Sequence, residues 1–525
     1  MTDRPLPRYH AASWDEPIVL TMGHPDRRAM HAPEIEPDIR AAVGDAAARI
    51  PAHARRQTPP ALPGMTEFEV QRHYLHLAQM TLGMMGINLF GTCTMKYNPR
   101  LGEDLTLEPR LSQVHPGQPV ETVQGALEII HGLDQIMREL SGMDRFVFQA
   151  GGGAHAAYTH ACVTRAYFAA RGELDQRRDV ITTIQTHPCN AATAHAAGFN
   201  VITLPLDDGG YPSLEALEAV LSDRTAALMI NNPDDMGIYN PNMRRWVEAV
   251  HKAGALAFWD SANFNGIMGR MRARELGFDA CMYMLHKTFG APKGGGGPAV
   301  GAYGCTEELA PYLPRPLVVE DGAGGYDLDH GDEQSIGKIR EFWGNVPQMV
   351  KAYSWARAMG AGGIKEAASL SVLANNYMEQ RLVQVRGVSR SNDDVTLPRL
   401  EMTRFSLEQV ARETGITVFD IQHRMVDFGV DAFWLSHEPW LVPEPFTPEA
   451  GELWSKEDLD TWIDVLEHVI EEAYSDPELV RSAPHNQAID KVDVSRADDP
   501  EYWATTWRAY QRKRGAAMQP EPVGA

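Results

Sequence analysis

The sequence predicts an α/β fold built on a mostly parallel sheet, and three observations predict it. From about Asp144 onward, short β-rich runs ("RFVFQA", "DVITTI", "NVITLPL", "AALMINN", "ALAFWD") alternate with stretches of helical spacing, the rhythm of repeated βαβ units. The stretch "FVFQAGGGAHAAYTHACVTRAYFAARG" places a glycine turn between one such run and a helix. The chain has 525 residues, 44% hydrophobic and 22% charged, which is ordinary for a globular protein and enough for a large domain with a smaller companion.

In chain order, residues 1–65 are rich in proline, arginine and alanine and end in "RRQTPPALPG", which reads as an irregular N-terminal arm. "MTEFEVQRHYLHLAQMTLGMMG" then has helical apolar spacing, with Thr66 and Glu69 placed for a capping box. This helical segment opens a large domain, 66–345, that holds the alternating core. Near its end the proline-rich "LAPYLPRPLVVEDGAGGYDLDHGDEQS" breaks the rhythm, and a long helical pattern follows through "MVKAYSWARAMGAGGIKEAASLSVLANNYMEQRL". A smaller C-terminal α/β domain, 346–490, is expected from "LEMTRFSLE", the helical "TVFDIQHRMVDFG" and "SKEDLDTWIDVLEHVIEEAYSD". In the tail, 491–525, Trp503 and Trp507 stand one helical turn apart, which suggests an amphipathic helix docking on the body or on another subunit.

Charge and composition narrow the function. Seventy acidic against 48 basic residues give a net charge of -22, an unfavourable field for nucleic acid or an anionic membrane surface. The start carries no basic-then-apolar signal pattern and no 18-residue apolar run is present, so a cytoplasmic location is expected. The five cysteines (Cys93, Cys162, Cys189, Cys281, Cys305) form no C-x-x-C pair, so they read as ordinary thiols rather than a metal or disulfide framework.

The chemistry is concentrated in "MLHKTFGAPKGGGGPAVGAYG", where Lys287 sits between an apolar run and a glycine run. A lysine attacks a carbonyl only when part of its population is neutral, and apolar surroundings depress its pKa. Upstream, "GALAFWDSANFNG" delivers Asp260 at the end of a strand, where ligands bind in open α/β sheets. Pyridoxal phosphate needs a lysine for its imine and a carboxylate to keep its pyridine nitrogen protonated. The glycine turn of "QAGGGAH" completes the set, because backbone amides at a helix N-terminus bind phosphate. The turn is not G-x-G-x-x-G, which makes a dinucleotide fold the weaker reading.

With these residues in place, the chain resembles the pyridoxal-phosphate half of glycine dehydrogenase (decarboxylating), the P-protein family of the glycine cleavage system, and its separate second subunit above all. The resemblance runs in order through "GTCTMKYNPR" (Gly91 to Arg100), "GAH" (Gly153 to His155), "DSAN" (Asp260 to Asn263), "HKTF" followed by "GGGGP", "SIGKIREFWGN" (Ser335 to Asn345) and "LVPEP" (Leu441 to Pro445). It spans roughly Pro17 to Asp490. It implies a fold-type-I pyridoxal-phosphate enzyme in which Lys287 carries the cofactor and Asp260 pairs with the pyridine nitrogen. Asn263 is then expected near the ring hydroxyl, Ala262 against one ring face and His187 against the other, with His187 beside Lys287 in the catalytic pair. Gly153, Ala154 and His286 become the phosphate candidates. Lys293, His155, Arg404, Cys93 and Lys96 become the substrate-pocket candidates, the last two on the loop expected at the entrance. The implied reaction decarboxylates glycine and passes the remaining aminomethyl group to a lipoyl H-protein, with a first subunit as partner, in a homo- or hetero-oligomer and with no metal.

Several positions depart from the family pattern. Lys293 stands where a histidine is usual and Ser261 where a glycine is, "NNPDD" (Asn231 to Asp235) replaces "TNPNT", and Ala156 and Ala157 replace Gly-Glu. "QTHPCNAATA" (Gln185 to Ala194) and "MTRF" (Met402 to Phe405) replace "SAHGTNPASA" and "MHEF". The changes cluster around the pocket while Asp260 and Lys287 remain. Two alternatives therefore stand beside the P-protein reading: a stand-alone decarboxylase of a larger amino acid that protonates the substrate carbon, and a non-catalytic assembly subunit.

Overall fold

The β-rich runs all form strands in the computed structural model, which describes residues 5–24, 26–27, 34–56, 62–81, 86–89, 99–207, 210–292, 299–331, 333–392, 397–430, 435–437, 439–499, 502–504 and 506–517. The strands are β1 (Arg145–Ala150), β2 (Asp179–Thr183), β3 (Asn200–Leu204), β4 (Thr225–Asn231), β5 (Leu256–Asp260), β6 (Ala280–Met284) and β7 (Gly301–Cys305). They make one sheet in the order β1-β7-β6-β5-β4-β2-β3. Only β7 runs against its neighbours; the other pairings are parallel. The fold is thus the α/β, mostly parallel arrangement expected of a fold-type-I enzyme.

Period-two alternation sends successive side chains to opposite faces, and here both faces are buried. Phe258 and Met282 enter one apolar cluster with Phe168 and Tyr303. Their neighbours Trp259 and Tyr283 enter the other, with Trp246 and Phe278. Small residues allow β7 to sit between β1 and β6: a Cβ at Gly304 would lie 2.2 Å from Phe146 Cζ, and one at Gly301 would lie 2.4 Å from the Gly152 carbonyl oxygen. β7 therefore packs directly under the glycine turn.

Chain contacts divide the molecule into two units, Met1–Tyr9 with Leu82–Arg481, and His10–Thr81 with Ser482–Ala525. In the first unit, the long helical pattern forms Val346–Leu382, broken at Gly360 where φ is 63°. Beyond it lie three short antiparallel strands, Ser389–Arg390, Phe405–Ser406 and Pro445–Phe446. Helices Val418–Met425 and Lys456–Ser475 flank them, capped by the Thr417/Asp420 and Ser455/Asp458 boxes. Phe405, Phe446, Trp462 and Leu466 belong to a core distinct from those of the large sheet. The proline-rich segment is not wholly irregular, since Leu317–Glu320 and Tyr326–Asp329 pair as a hairpin.

In the second unit, the helix expected from Met65 runs over Glu67–Gln79, and the Thr66–Glu69 capping box is formed. His73 and His76 both hydrogen-bond with Glu16. The tail helix covers only Trp507–Ala517, so Trp503 does not share it with Trp507 as the spacing suggested. The Thr506 hydroxyl accepts from the Ala509 amide and caps the helix there. Among the described residues no helix is long and apolar enough to cross a membrane.

Candidate active site

The parallel strands end together on one side of the sheet, and their C-terminal ends gather the polar residues. Asn231 and Asp260 are register partners at the ends of β4 and β5. β6 ends at Met284, whose carbonyl accepts from the Lys287 amide at 3.2 Å. That turn brings His286 and Lys287 to the same end, and Lys287 is only 3% exposed.

Asp260 is buried and held by neutral groups. Its Oδ2 accepts from Asn190 Nδ2 at 2.8 Å and faces Cys189 Sγ at 4.0 Å, and its Oδ1 accepts from the Ala262 amide at 3.0 Å. Burial pushes its carboxyl up to about 6, against the opposing pull of the Asn190 hydrogen bond and the Lys287 charge. Burial likewise drives the Cys189 thiol well above its ordinary range, with the Asp260 charge adding to the rise.

His187 lies on the turn before the helix Cys189–Ala196. Its amide donates to Asn231 Oδ1 at 3.1 Å, and its Nδ1 accepts from the Cys189 amide at 3.1 Å. Burial lowers its pKa to about 4, so the imidazole is neutral at pH 7.

The loop after β4 carries Asp235, which the sequence singled out only as a departure. Its Oδ2 pairs with His437 Nδ1 at 2.9 Å, and its Oδ1 accepts from Asn263 Nδ2 at 3.4 Å. The main-chain carbonyl of Asp235 accepts from Arg404 Nη2 at 2.6 Å, and Arg404 Nε donates to Thr447 Oγ1 at 3.1 Å. Arg404 is thus a fully buried clamp on the Asp235 loop. The His437 ring stands edge-to-face on His187, with centroids 4.4 Å apart. Burial pushes the Asp235 carboxyl upward, but the His437 hydrogen bond and the His187, His437 and Lys287 charges outweigh it and hold it at about 2.

Across the sheet, the turn Gly151–Gly152 leads into the helix Gly153–Ala170. A Cβ at Gly153 would stand 1.7 Å from Met284 Cε, so glycine lets this helix close onto the end of β6 with the Met284 side chain in its present place. A Cβ at Gly152 would meet nothing within 4 Å, which leaves open space over the turn. Ala154 is exposed in the first helical turn. His155 Nδ1 accepts from the Gly151 amide at 3.1 Å, and burial together with the Arg340 charge lowers the His155 pKa.

Arg340 reaches this turn from the segment "SIGKIREFWGN". Its Nη1 lies 3.0 Å from where a Gly151 Cβ would stand. Gln149, buried at the end of β1, anchors that segment by accepting from the Ile339 amide at 3.4 Å. Arg340 itself makes no hydrogen bond or ion pair with any described residue.

The structure therefore brings Lys287, Asp260, Ala262, Asn263, His187 and His286 to the ends of β4, β5 and β6, and sets Gly153, Ala154 and His155 on the glycine turn. Arg404 supports the Asp235 loop. Lys293, Cys93 and Lys96 lie outside the described residues, as does the glycine run after Lys293. Sequence reasoning missed Asn190, Asp235, Arg340 and His437. Asn190 and Asp235 had a signal inside the departing stretches "QTHPCNAATA" and "NNPDD", Arg340 had one inside the matching stretch "SIGKIREFWGN", and His437 had none.

These residues fit pyridoxal phosphate. Among the described residues Asp260 is a buried carboxylate whose direct hydrogen-bond donors are neutral, and a protonated ring nitrogen would supply a cation against it. Asn190 Oδ1, Asn231 Nδ2 and Ser261 Oγ are buried without a hydrogen-bond partner among the described residues, all close to Asp260 in the chain or the sheet. The open turn, helix N-terminus and unpaired guanidinium suit a phosphate.

Comparison with known proteins agrees. The aminotransferase class-V family model matches residues 143–433. The chain is 40% identical over 512 residues to the probable glycine dehydrogenase (decarboxylating) subunit 2 of Thermococcus kodakarensis, covering 97% of this chain and 99% of the relative. It is 39% identical over 506 residues to the Pyrococcus furiosus protein of the same name, covering 96% and 98%. Among solved structures, a glycine decarboxylase (P-protein) of the glycine cleavage system in inhibitor-bound form superposes with a TM-score of 0.70 at 21% identity, over 84% of this chain and all of that one. The cysteine desulfurase CsdA from Escherichia coli gives 0.54 at 16% identity, over 71% and 92%, and so shares the fold. A near-full-length match at this identity settles the membership: the chain belongs to the glycine dehydrogenase (decarboxylating) subunit 2 family, whose enzymes depend on pyridoxal phosphate.

Proposed function

We propose that this chain is the pyridoxal-phosphate subunit of a glycine-decarboxylating enzyme, working with a first subunit and passing the aminomethyl group to a lipoyl group on an H-protein. The observation that carries the reading is the convergence of Lys287, Asp260 and the glycine turn at one end of the sheet, in a chain that matches its relatives almost end to end. When bound, the cofactor supplies an electron sink for the pair released as the carboxylate departs.

The chain's own residues do the rest. Lys287 would hold the cofactor covalently. Asp260, desolvated between β5 and the Cys189–Ala196 helix, would keep a proton on the ring nitrogen, because a buried carboxylate gains most from a cation placed against it. His187 offers a neutral aromatic face and Ala262 a small apolar one, and the two would hold the ring. Asn263, tied to the Asp235 loop, would hold the ring hydroxyl. Gly153, Ala154, His286 and Arg340 would hold the phosphate. The substrate carboxylate is assigned to the side of His155.

The purified chain mixed with pyridoxal phosphate should develop a visible absorbance band, and Lys287→Ala should abolish it. With a first subunit, lipoyl H-protein and carboxyl-labelled glycine, the wild type should release labelled carbon dioxide. Lys287→Ala should slow that release about a thousandfold or more. A colourless wild-type protein, or a complete mixture that leaves glycine intact, would sink the reading.

A further inference from the structure

The decarboxylation leaves one cavity without a use. The later turns of the helix Val346–Leu382 and residues 451–456 line a space of about 400 Å³, within the range of roughly 300–1,000 Å³ that suits a small organic ligand. None of the residues assigned to the cofactor or the substrate lines it. Its walls are apolar and aromatic, with Leu370, Leu373, Tyr377 and Trp454 among them. Leu373 is 64% exposed and marks the mouth.

Two charged groups share the lining, Glu452 and Lys456, and they differ in their commitments. Lys456 Nζ pairs with Asp460 Oδ2 at 2.7 Å and stands 5.1 Å from the centroid of the Tyr377 ring, so its charge is already answered. That contact also shows the ring face taking a cation. Glu452 is turned inward: its Oε2 accepts from Asn265 Nδ2 at 3.2 Å, and Asn265 is 1% exposed. The buried Ser371 Oγ lies 3.4 Å from the same oxygen. Both neighbours are neutral, so they orient the carboxylate without cancelling its charge. A carboxylate at the inner end of an aromatic cavity, in a chain of net charge -22, selects a cation with an apolar body and repels an anion.

The cavity also touches the turn that serves the cofactor site. Asn265 stands two residues after Asn263, which is proposed to hold the ring hydroxyl and donates to Asp235 Oδ1. Phe264 between them is 1% exposed, and a Cβ at Gly266 would lie 2.4 Å from Glu401 Oε2. Interiors packed this closely transmit strain, so a pull on the Glu452 carboxylate is felt at Asn263.

We propose that this cavity binds a small organic cation with an apolar body, whose charged nitrogen pairs with Glu452 and whose occupancy shifts the cofactor site through Asn265. The link rests on the cofactor reading above; the site itself does not.

The test uses the full chain loaded with pyridoxal phosphate and benzyltrimethylammonium as the probe, because a quaternary nitrogen cannot condense with the cofactor carbonyl. Calorimetry should show saturable binding, with benzyl alcohol and benzenesulfonate weaker by about tenfold or more. Glu452→Gln keeps an acceptor for Asn265 and should weaken the probe by about tenfold or more. Leu373→Lys, at an exposed helical position that takes lysine readily, sets a like charge at the mouth and should weaken it too. Both variants should keep the cofactor absorbance band of the wild type. No binding at millimolar probe, equal binding of the alcohol, or an affinity unchanged in Glu452→Gln or in Leu373→Lys would each overturn the site.

A second readout addresses the link. Saturating probe should shift the pH midpoint of the cofactor absorbance in the wild type, and the same concentration should leave it unmoved in Glu452→Gln. Binding with an unmoved midpoint in the wild type would overturn the link to Asn265. A chain that stays colourless with pyridoxal phosphate removes the cofactor reading and the link with it, and calorimetry then still decides the site.

Discussion

β4 and β5 are neighbours, and each delivers a buried carboxylate to the same end of the sheet, yet burial ends differently for the two. Asp260 rises to about 6, because its direct hydrogen-bond partners are neutral: Asn190 and a backbone amide. Asp235 stays at about 2, because His437 stands against it. Desolvation is the largest influence on both, so the partner decides the outcome. One carboxylate is set to receive a cation from outside the chain, and the other already has one within it.

The largest expected effect comes from removing the charge that awaits the cofactor. Asp260→Asn should leave pyridoxal phosphate attached to Lys287, visible as absorbance, yet lower the rate of carbon dioxide release about 100- to 1,000-fold, because an uncharged amide cannot hold the ring nitrogen protonated. Asp235→Asn should cost the same step far less. If the two substitutions slowed decarboxylation equally, the division between the carboxylates would be wrong.

The comparison can be sharpened in the cofactor-free protein, where the signs invert. A carboxyl whose folded pKa lies above its unfolded value of 3.8 costs stability as pH rises from 3.8 through about 6. For Asp260 that cost is fully present at pH 8 and amounts to about 3 kcal/mol. Asp235 has the opposite sign: its stability is present above pH 3.8 and is lost as pH falls toward about 2. Urea unfolding of the apo chain at pH 8 should therefore show Asp260→Asn more stable than wild type. Asp235→Asn should be less stable by about 2 kcal/mol, since it removes a carboxylate whose ionised form the fold favours. Shifts of the same sign would show that packing, not charge, governs both sites.

Much of this was legible in the sequence. The strands were, because buried β-branched and aromatic runs alternating with helical spacing leave few other folds. The Lys287–Asp260 pair and the glycine turn were, because each follows a recognisable strand. His437 was not, because it stands far along the chain from its neighbours in the site and only the return of the small-domain loop brings it there. Arg340 lay in the quoted stretch "SIGKIREFWGN", but nothing in that stretch marked the arginine for the glycine turn. Arg404 illustrates the converse. Its place in "MTRF" suggested the pocket, and the fold gives its guanidinium to the Asp235 carbonyl and the Thr447 hydroxyl. The tail misled for a local reason, because the Thr506 cap starts the helix after Trp503.

The smallest effect separates the two ends of the cofactor. Arg340 makes no ion pair with any described residue, but it lies by the glycine turn and is only partly buried, so its ligand is expected to be an anion at moderate gain. Burial and the Arg340 charge keep the adjacent His155 from charging, which leaves the guanidinium to meet the anion. A single charge-assisted contact is worth about 1.5–3 kcal/mol. Arg340→Ala should thus weaken pyridoxal phosphate binding about 10- to 100-fold, measured by fluorescence titration, while binding of phosphate-free pyridoxal stays unchanged. Equal losses for both would detach Arg340 from the phosphate. A weakened glycine response with cofactor binding intact would assign the guanidinium to the substrate carboxylate.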